Sequence, residues 1–296
     1  VVHQTASLLI NLFGFDTGWS IPPCHAPVPC EFTTAPEAAT VADAVVFHAT
    51  SLHRASVMAK RPGQKWVVWC MESAVTVTTL GDPHAMRPFD LTMTYQRTSD
   101  VWTPYISRRL VDELRAAPQP KTSRLPVARV QSNPYDRSGR NSYAAELSRY
   151  VKVASYGRFA TTVAETIARG REAKLSAIAR HKFTLAFENS VAFDYVTEKF
   201  FDPLVAGSVP VYLGAPNVGE FAPAEHCYIN TADFAGPRQL GAYLDHLDRH
   251  DDEYEAYLAW KRHGPNERFR ALVETSAPRP FCRLAEILAE ARGATG

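Results

Sequence analysis

Short apolar runs alternate with longer amphipathic stretches along this chain. SLLINLF, DAVVFHA, KWVVWCM and FDLTMTY form one series; PVARVQS, YVKVASYG, KFTLAFE, VPVYLG and CYINT form a second. The runs are rich in β-branched and aromatic residues, and helix-length sequence separates them, which is the pattern of strands in parallel α/β sheets. Between the two series lies the polar, proline-containing stretch AAPQPKTSRLP (116–126), whose composition suits a linker. The pattern therefore predicts an N-terminal domain over 1–120 and a second over 121–278. FCRLAEILAEAR predicts a terminal helix over 279–296, with Leu284, Ile287 and Leu288 on one side, packing back on the first domain. AYLDHLDRHDDEYEAYLAWKRH predicts one long polar helical stretch after the second series.

Residues 183–223, FTLAFENSVAFDYVTEKFFDPLVAGSVPVYLGAPNVGEFAP, carry the densest polar chemistry. The stretch reads as strand, loop, helix, strand and loop, with Glu188 and Asn189 at the first strand's end and a helix from about Asp194. At ~100° per residue, Tyr195, Glu198, Lys199 and Asp202 fall within an arc of about 100°, with Val196, Phe200 and Leu204 on the other side. Ligands in open α/β sheets bind beyond the carboxyl ends of strands, often against helix N-termini. A phosphorylated, hydroxyl-rich ligand fits such a face, with Lys199 and amides for phosphate and Glu198 for hydroxyls. The competing reading is a solvated amphipathic helix held by charge pairs one turn apart.

Composition narrows the field. A chain of 296 residues with 46% hydrophobic content allows one large or two medium soluble domains. A net charge of +1 gives no whole-chain field for nucleic acid or a membrane surface, and no apolar run approaches the ~20 residues a bilayer span needs. The cysteines Cys24, Cys30, Cys70, Cys227 and Cys282 show no C-x-x-C metal spacing. Cys70 and Cys227 lie in apolar runs that suit buried thiols, and Cys24 and Cys30 flank a proline-rich loop and are candidates to pair. An odd cysteine count with no signal segment points to a reducing, cytoplasmic setting.

The segment ENS…DYVTEKFFDPLVAGSVPVYLG resembles the donor-binding signature of the α1,3-fucosyltransferases, glycosyltransferase family 10. Weaker similarity extends through WCMES, SDVWTPY, SNPYDRSGR, ASYGR and YLAWK. The stretch WKRHGPNERFRALVETSAPRPFCRLAEIL is similar to the plant and invertebrate branch that fucosylates the innermost GlcNAc of N-glycans. The resemblance implies a GT-B architecture, two Rossmann-like domains with parallel sheets facing a central cleft. It also implies inverting transfer of fucose from GDP-fucose to the 3-hydroxyl of a GlcNAc-containing oligosaccharide or N-glycan. No cofactor is expected, and a divalent metal is expected at most to stimulate, with no D-x-D site to bind it. The same resemblance places a bacterial enzyme in the cytoplasm and a trimmed eukaryotic one in the Golgi lumen.

Inverting sugar transfer needs a base for the acceptor hydroxyl, cations or amides for the departing diphosphate, and a pocket for the donor. Glu72, at a strand end in WCMES, is the candidate base, expected to be partly buried; Asp100 is a second carboxylate, for which a turn or cap role is favoured. Lys199 and Arg158 are the candidates for the diphosphate, with Gly157 allowing close backbone approach. Ser132 and Asn133 end ARVQS and are assigned to the nucleotide; Pro134 stands where the family often has Cys. Arg137 and Arg140 read equally as ligand contacts or loop charges. Glu188, Asn189, Tyr195 and Glu198 complete the donor set, and Asp194 reads as a helix cap. His48, Asp100 and Trp102 are acceptor candidates; Trp19, Trp66, Trp69 and His53 are further aromatic positions, with core packing favoured for Trp66 and Trp69. Asp251, Asp252 and Glu253 read as a solvated surface. Three rivals stand beside this reading: Lewis-type transfer to N-acetyllactosamine antennae, a GT-B transferase using another nucleotide sugar, and an inactive glycan-binding module.

Overall fold

A computed structural model describes residues 7–13, 15, 24, 29–49, 52, 53, 55, 58–164, 166–276 and 279–293. Trp19 lies outside them. The chain divides into two compact units, Val1–Pro104 with Ser276–Gly296, and Tyr105–Thr275. The division falls before the expected linker. Residues 116–126 belong to the second unit, because Lys121 is fixed by the carbonyls of Ala179 and Gly207 and Pro118 packs against Gly207.

The first unit holds strands β1 (Leu8–Phe13), β2 (Cys30–Thr33), β3 (Ala44–His48), β4 (Lys65–Cys70), β5 (Leu91–Thr94) and β6 (Val101–Trp102), with the short helix α1 (Pro83–Met86) before β5. The strands form one parallel sheet in the order β2-β1-β3-β4-β5-β6. The second unit holds α2 (Arg108–Glu113), β7 (Val127–Val130), α3 (Arg140–Leu147), β8 (Val153–Tyr156), α4 (Arg171–Ala179), β9 (Phe183–Phe187), α5 (Glu198–Ala206), β10 (Val209–Leu213), β11 (Ile229–Asn230), α6 (Pro237–Arg249), α7 (Asp251–Ala256) and α8 (Glu267–Thr275). Its sheet is also parallel, in the order β11-β10-β9-β7-β8. The order reverses between β1 and β3 in one sheet and between β7 and β9 in the other, the arrangement that opens a ligand crevice at the strands' carboxyl ends.

Burial explains the strand composition. Val127, Phe183, Leu185, Val209 and Val211 form one core with Leu240, Leu244 and Leu247 of α6. Strands covered by helices on their faces read as continuous apolar runs, which is why β9 and β10 stand out in the sequence. The last helix, α9 (Pro280–Gly293), returns to the first unit, where Leu284, Ala285, Leu288 and Ala289 join Leu8, Ile10, Val46, Val67, Met93 and Val101. β2 and β6, with four and two residues, lie outside the apolar runs read from the chain. The expected long polar helix breaks at His250, whose φ of −122° and ψ of 84° leave the helical region between α6 and α7. Cys24 pairs with Cys282, and Cys30 is a free thiol. Among the described residues no helix is long and apolar enough to cross a membrane.

Candidate active site

The polar cluster of the second unit is built where β9 ends. Glu188 follows the strand and turns inward: its side chain is 0% exposed. Oε1 accepts the Thr197 N–H at 2.8 Å, and Oε2 accepts the Thr197 hydroxyl at 2.9 Å and lies 3.3 Å from Lys199 Nζ. Gly214 makes room for this carboxylate, since a Cβ there would stand 2.6 Å from Glu188 Cγ and 2.4 Å from Tyr212 Oη. Burial raises the Glu188 pKa, and the Lys199 charge opposes the shift.

Thr197 caps α5, accepting the Lys199 N–H at 3.3 Å. The Lys199 ammonium then sits among three oxygens, Thr197 Oγ1 at 3.1 Å, Glu198 Oε1 at 3.3 Å and Glu188 Oε2 at 3.3 Å. Burial works against the Lys199 charge, but Glu188 and Glu198 outweigh it and the pKa is raised. Burial also works against the Glu198 charge, but Lys199 and then Lys174 outweigh it and that pKa is lowered. Both groups are held ionised and accessible, the Glu198 side chain 46% exposed and that of Lys199 29%. They stand at the positive end of a helix dipole.

Across the strand-order reversal, the loop after β7 presents Ser132 and Asn133 to solvent. Asn133 Oδ1 accepts the Tyr135 N–H at 2.9 Å in a local turn. The buried Arg140 guanidinium anchors this loop to β9, donating to the carbonyls of Phe187 at 3.2 Å, Asn133 at 3.1 Å and Tyr135 at 2.8 Å. Ser138 Oγ donates to the Glu188 carbonyl at 2.6 Å, and the Arg137 N–H to that of half-buried Asn189 at 2.7 Å. Asp136 gathers the amides of Ser138, Arg140 and Asn141 at the start of α3; burial raises its pKa, but those backbone bonds win and the net shift is downward. On the next strand, Gly157 has φ +98° and lies so near Gln131 that a Cβ would meet its carbonyl oxygen at 2.3 Å. The glycine thus lets the ends of β7 and β8 approach closely. It sets exposed Arg158 beyond β8, beside the end of β7, where Val130 pairs with Tyr156.

The ends of β7, β8 and β9 and the start of α5 therefore carry Ser132, Asn133, Arg158, Asn189, Glu198 and Lys199 on one edge of the sheet. Two cations and a helix terminus can hold phosphate charge, and Glu198 and the amide side chains can hold hydroxyls. Glu188 is a bracket beneath this edge, with both carboxylate oxygens already engaged. Three expectations about the helix need correction. It begins at Glu198, not near Asp194, because Asp194 takes φ +62° and its carboxylate accepts from Asn217 Nδ2 at 2.9 Å. Tyr195 lies before the helix with its ring 1% exposed and edge-on to Tyr105, so it packs in the core and offers no face to a donor. Asp202 is buried against α4, 2.8 Å from Arg171 and 2.5 Å from Lys174. Thr197, Asp136 and Ser138 escaped the sequence reading; the threonine immediately before an acidic first turn was the available signal for the cap.

In the first unit, Glu72 lies two residues beyond β4 and is exposed, not partly buried, while its carbonyl accepts from the Cys70 thiol at 3.4 Å. Burial pushes the Cys70 thiol up to about 11, consistent with an inert packing role. Half-buried His48 ends β3 and meets Trp69 at 5.1 Å and, edge-on, Phe15 at 5.6 Å. Trp66 is core, and His53 is exposed. Asp100 sits at the opposite edge of the sheet, before β6, where its carboxylate accepts the Thr92 N–H at 2.7 Å and hydroxyl at 2.8 Å. It ties β6 to β5, so its assignment to base or acceptor chemistry is withdrawn. Trp102 is half-buried, its Nε1 donating to the Tyr95 carbonyl at 2.9 Å.

Two parallel sheets, each reversing strand order at a crevice, define a GT-B glycosyltransferase fold. A crystal structure of an α1,3-fucosyltransferase shares it, with a TM-score of 0.57 at 18% identity over 88% of this chain and 81% of that one. The α1,3-fucosyltransferase structure with GDP-fucose gives 0.50 at 17% identity over 87% and 83%. The profile of glycosyltransferase family 10 (fucosyltransferase), C-terminal part, matches residues 119–295, and the fucosyltransferase N-terminal profile matches residues 4–106. The chain belongs to glycosyltransferase family 10. It is 36% identical to a fucosyltransferase-like protein of Arabidopsis thaliana, over 78% of this chain and 44% of that one. It is 33% identical to GDP-fucose protein O-fucosyltransferase 3 of Homo sapiens, over 78% and 51%. The chain thus spans about half the length of the curated relatives it matches.

Proposed function

We propose that this chain transfers fucose from GDP-fucose to a hydroxyl with inversion at the sugar carbon. The observation that carries the reading is the Lys199–Glu198 pair, held ionised at the N-terminus of α5 by Thr197 and buried Glu188. Lys199 and Arg158 take the diphosphate, whose charge grows as its bond to the sugar breaks. Glu198 and Asn189 hold donor hydroxyls. Glu72 accepts the proton of the acceptor hydroxyl as its oxygen bonds to the fucose carbon and GDP departs from the opposite face, so a β-linked donor gives an α-fucoside. The diphosphate charge is met by side chains and helix amides, without a resident metal. Replacing Glu72 by Gln should lower kcat by roughly 10²–10⁴-fold and leave GDP affinity unchanged. Near-normal turnover would remove Glu72 from this role.

For the acceptor, the relatives named GDP-fucose protein O-fucosyltransferase 3, at 32–33% identity, favour a polypeptide hydroxyl. The similarity of residues 260–288 to the N-glycan core branch favours a second reading, the 3-hydroxyl of a GlcNAc. Labelled fucose offered to folded polypeptides, agalactosylated N-glycans and free lactosamine separates these. Label released by β-elimination supports the first, and label released with the glycan by an N-glycanase supports the second. Incorporation only into lactosamine would establish the Lewis-type activity, and absence of both transfer and GDP-fucose hydrolysis would leave the inactive binding module. The Cys24–Cys282 bond supports an oxidising compartment for this unit, against the cytoplasmic setting that the cysteine count suggests.

A further inference from the structure

At the break between α6 and α7, three metal-ligating side chains converge away from the donor-site edge. His246 lies in the last turns of α6, His250 occupies the break, and Glu253 is the third residue of α7. One ligand atom from each lies within 4.8 Å of the others. The imidazole rings stack with centroids 3.9 Å apart, as residues four apart on a helix can. His246 Nε2 lies 3.0 and 3.1 Å from the two Glu253 oxygens. The decisive detail is the orientation of His250. Its Nδ1 lies 2.7 Å from the His246 carbonyl, which can only accept, so Nδ1 carries the proton and in the neutral ring Nε2 keeps its lone pair. A backbone carbonyl that fixes the tautomer of a ligating histidine is the usual outer partner of a metal-bound imidazole.

The surroundings also suit a cation. Asp245 is already paired with Arg249, and Asp248 and Asp251 with Lys182, so the neighbouring basic groups are committed elsewhere. His246 and Glu253 are 44% and 55% exposed, which leaves a dication open access and the side chains room to close. An imidazole ligates through a lone pair in the ring plane, so bonds near 2.0–2.1 Å require the stacked rings to rotate apart, a rotamer change open to exposed side chains. Without a metal, the His246–Glu253 contact is a hydrogen bond across the helix break.

We infer that His246, His250 and Glu253 form a surface site for a borderline dication of the zinc class. Two imidazoles and one carboxylate favour Zn²⁺ or its late first-row neighbours over the all-oxygen preferences of Ca²⁺ and Mg²⁺. The site is independent of the donor-binding reading.

The test is titration of Zn²⁺ into the full chain against a chromophoric chelator, for the wild type, for Glu253→Gln, and for the double variant His246→Ala/His250→Ala. The wild type should bind one equivalent more than the double variant, raise its unfolding temperature with Zn²⁺ and not with Mg²⁺, and release the metal on acidification, since imidazole ligates only when neutral. Glu253→Gln should retain the fold and weaken binding at least tenfold, which keeps the test open should the double variant fold poorly. Equal Zn²⁺ stoichiometry and affinity in wild type and variants, or no binding by the wild type, would overturn the assignment.

Discussion

The two ends of α5 use lysine in opposite ways. At the N-terminal end Lys199 keeps company with two carboxylates and a hydroxyl, and its pKa is raised. At the C-terminal end Lys261 Nζ donates to the carbonyls of Leu204 and Leu114, each at 2.8 Å, and Lys121 Nζ donates to those of Gly207 at 2.6 Å and Ala179 at 2.8 Å. Those carbonyls end helices α2, α4 and α5, where backbone acceptors are left without intrahelical partners. Burial pulls both of these lysines down, each from 10.5 to about 8; at Lys261 repulsion from Lys121 adds to it, and at Lys121 the charge of Glu255 opposes it without cancelling it. Lys199 thus keeps its charge because two carboxylates lie beside it, whereas Lys121 and Lys261 donate to backbone carbonyls. Helix closure is the work of the other pair.

The comparison can be broken most directly at Lys199. On the proposed role of Lys199 against charge that develops in the transition state, Lys199→Ala should lower transfer by roughly 10²–10³-fold and weaken GDP binding by calorimetry. Lys261→Met should leave GDP affinity unchanged; if it weakened binding as much as Lys199→Ala, the two poles would not differ in function. Glu188→Ala comes next, at about 3 kcal/mol of stability in urea unfolding, because it strands the Thr197 amide and hydroxyl in the interior. Lys261→Met should cost less, about 2 kcal/mol, with two helix carbonyls losing their donor while an apolar stem stays packed. The smallest effect is a pH slope. Lys261 releases its proton near pH 8 when folded and near 10.5 when unfolded, so between these values the unfolded chain holds more protons. The stability of the wild type relative to Lys261→Met should therefore rise across that window and stay flat below it, at its least favourable. A falling difference would contradict the buried-lysine account.

The polar edge at the ends of β7, β8 and β9 was largely legible in the chain, for reasons that are local. FTLAFEN and VPVYLG are buried on both faces and so read as unbroken apolar strands. The glycine before Arg158 and the polar ends of ARVQS and FTLAFEN announce backbone leaving a sheet. What escaped depended on partners distant in sequence. Asp194 has the chemistry of a cap, but Asn217 captures it and holds it at positive φ, which moves the helix start to Thr197. Asp202 fits a polar stripe by periodicity, and only Arg171 and Lys174 on α4 turn it into a buried ion pair. Tyr195 was placed on a helix face that does not exist. Asp100 occupies the amino edge of its sheet, which shows only once β6, two residues long, is paired with β5. The same limit hid the partner of Cys24, which lies 258 residues away.

That long reach bears on how the protein is made. The sheet of the first unit has α9 as part of its cover, and α9 is synthesised only after the whole intervening unit. Until then Leu8, Ile10, Val46 and Val67 lack part of their apolar lid and remain available to chaperones or to misassociation. Nascent chains arrested before Pro280 should therefore be more protease-sensitive in the first 104 residues than in the segment that follows. Maturation would run from the interior of the polypeptide outward, with the Cys24–Cys282 bond able to form only after its second cysteine has been translated.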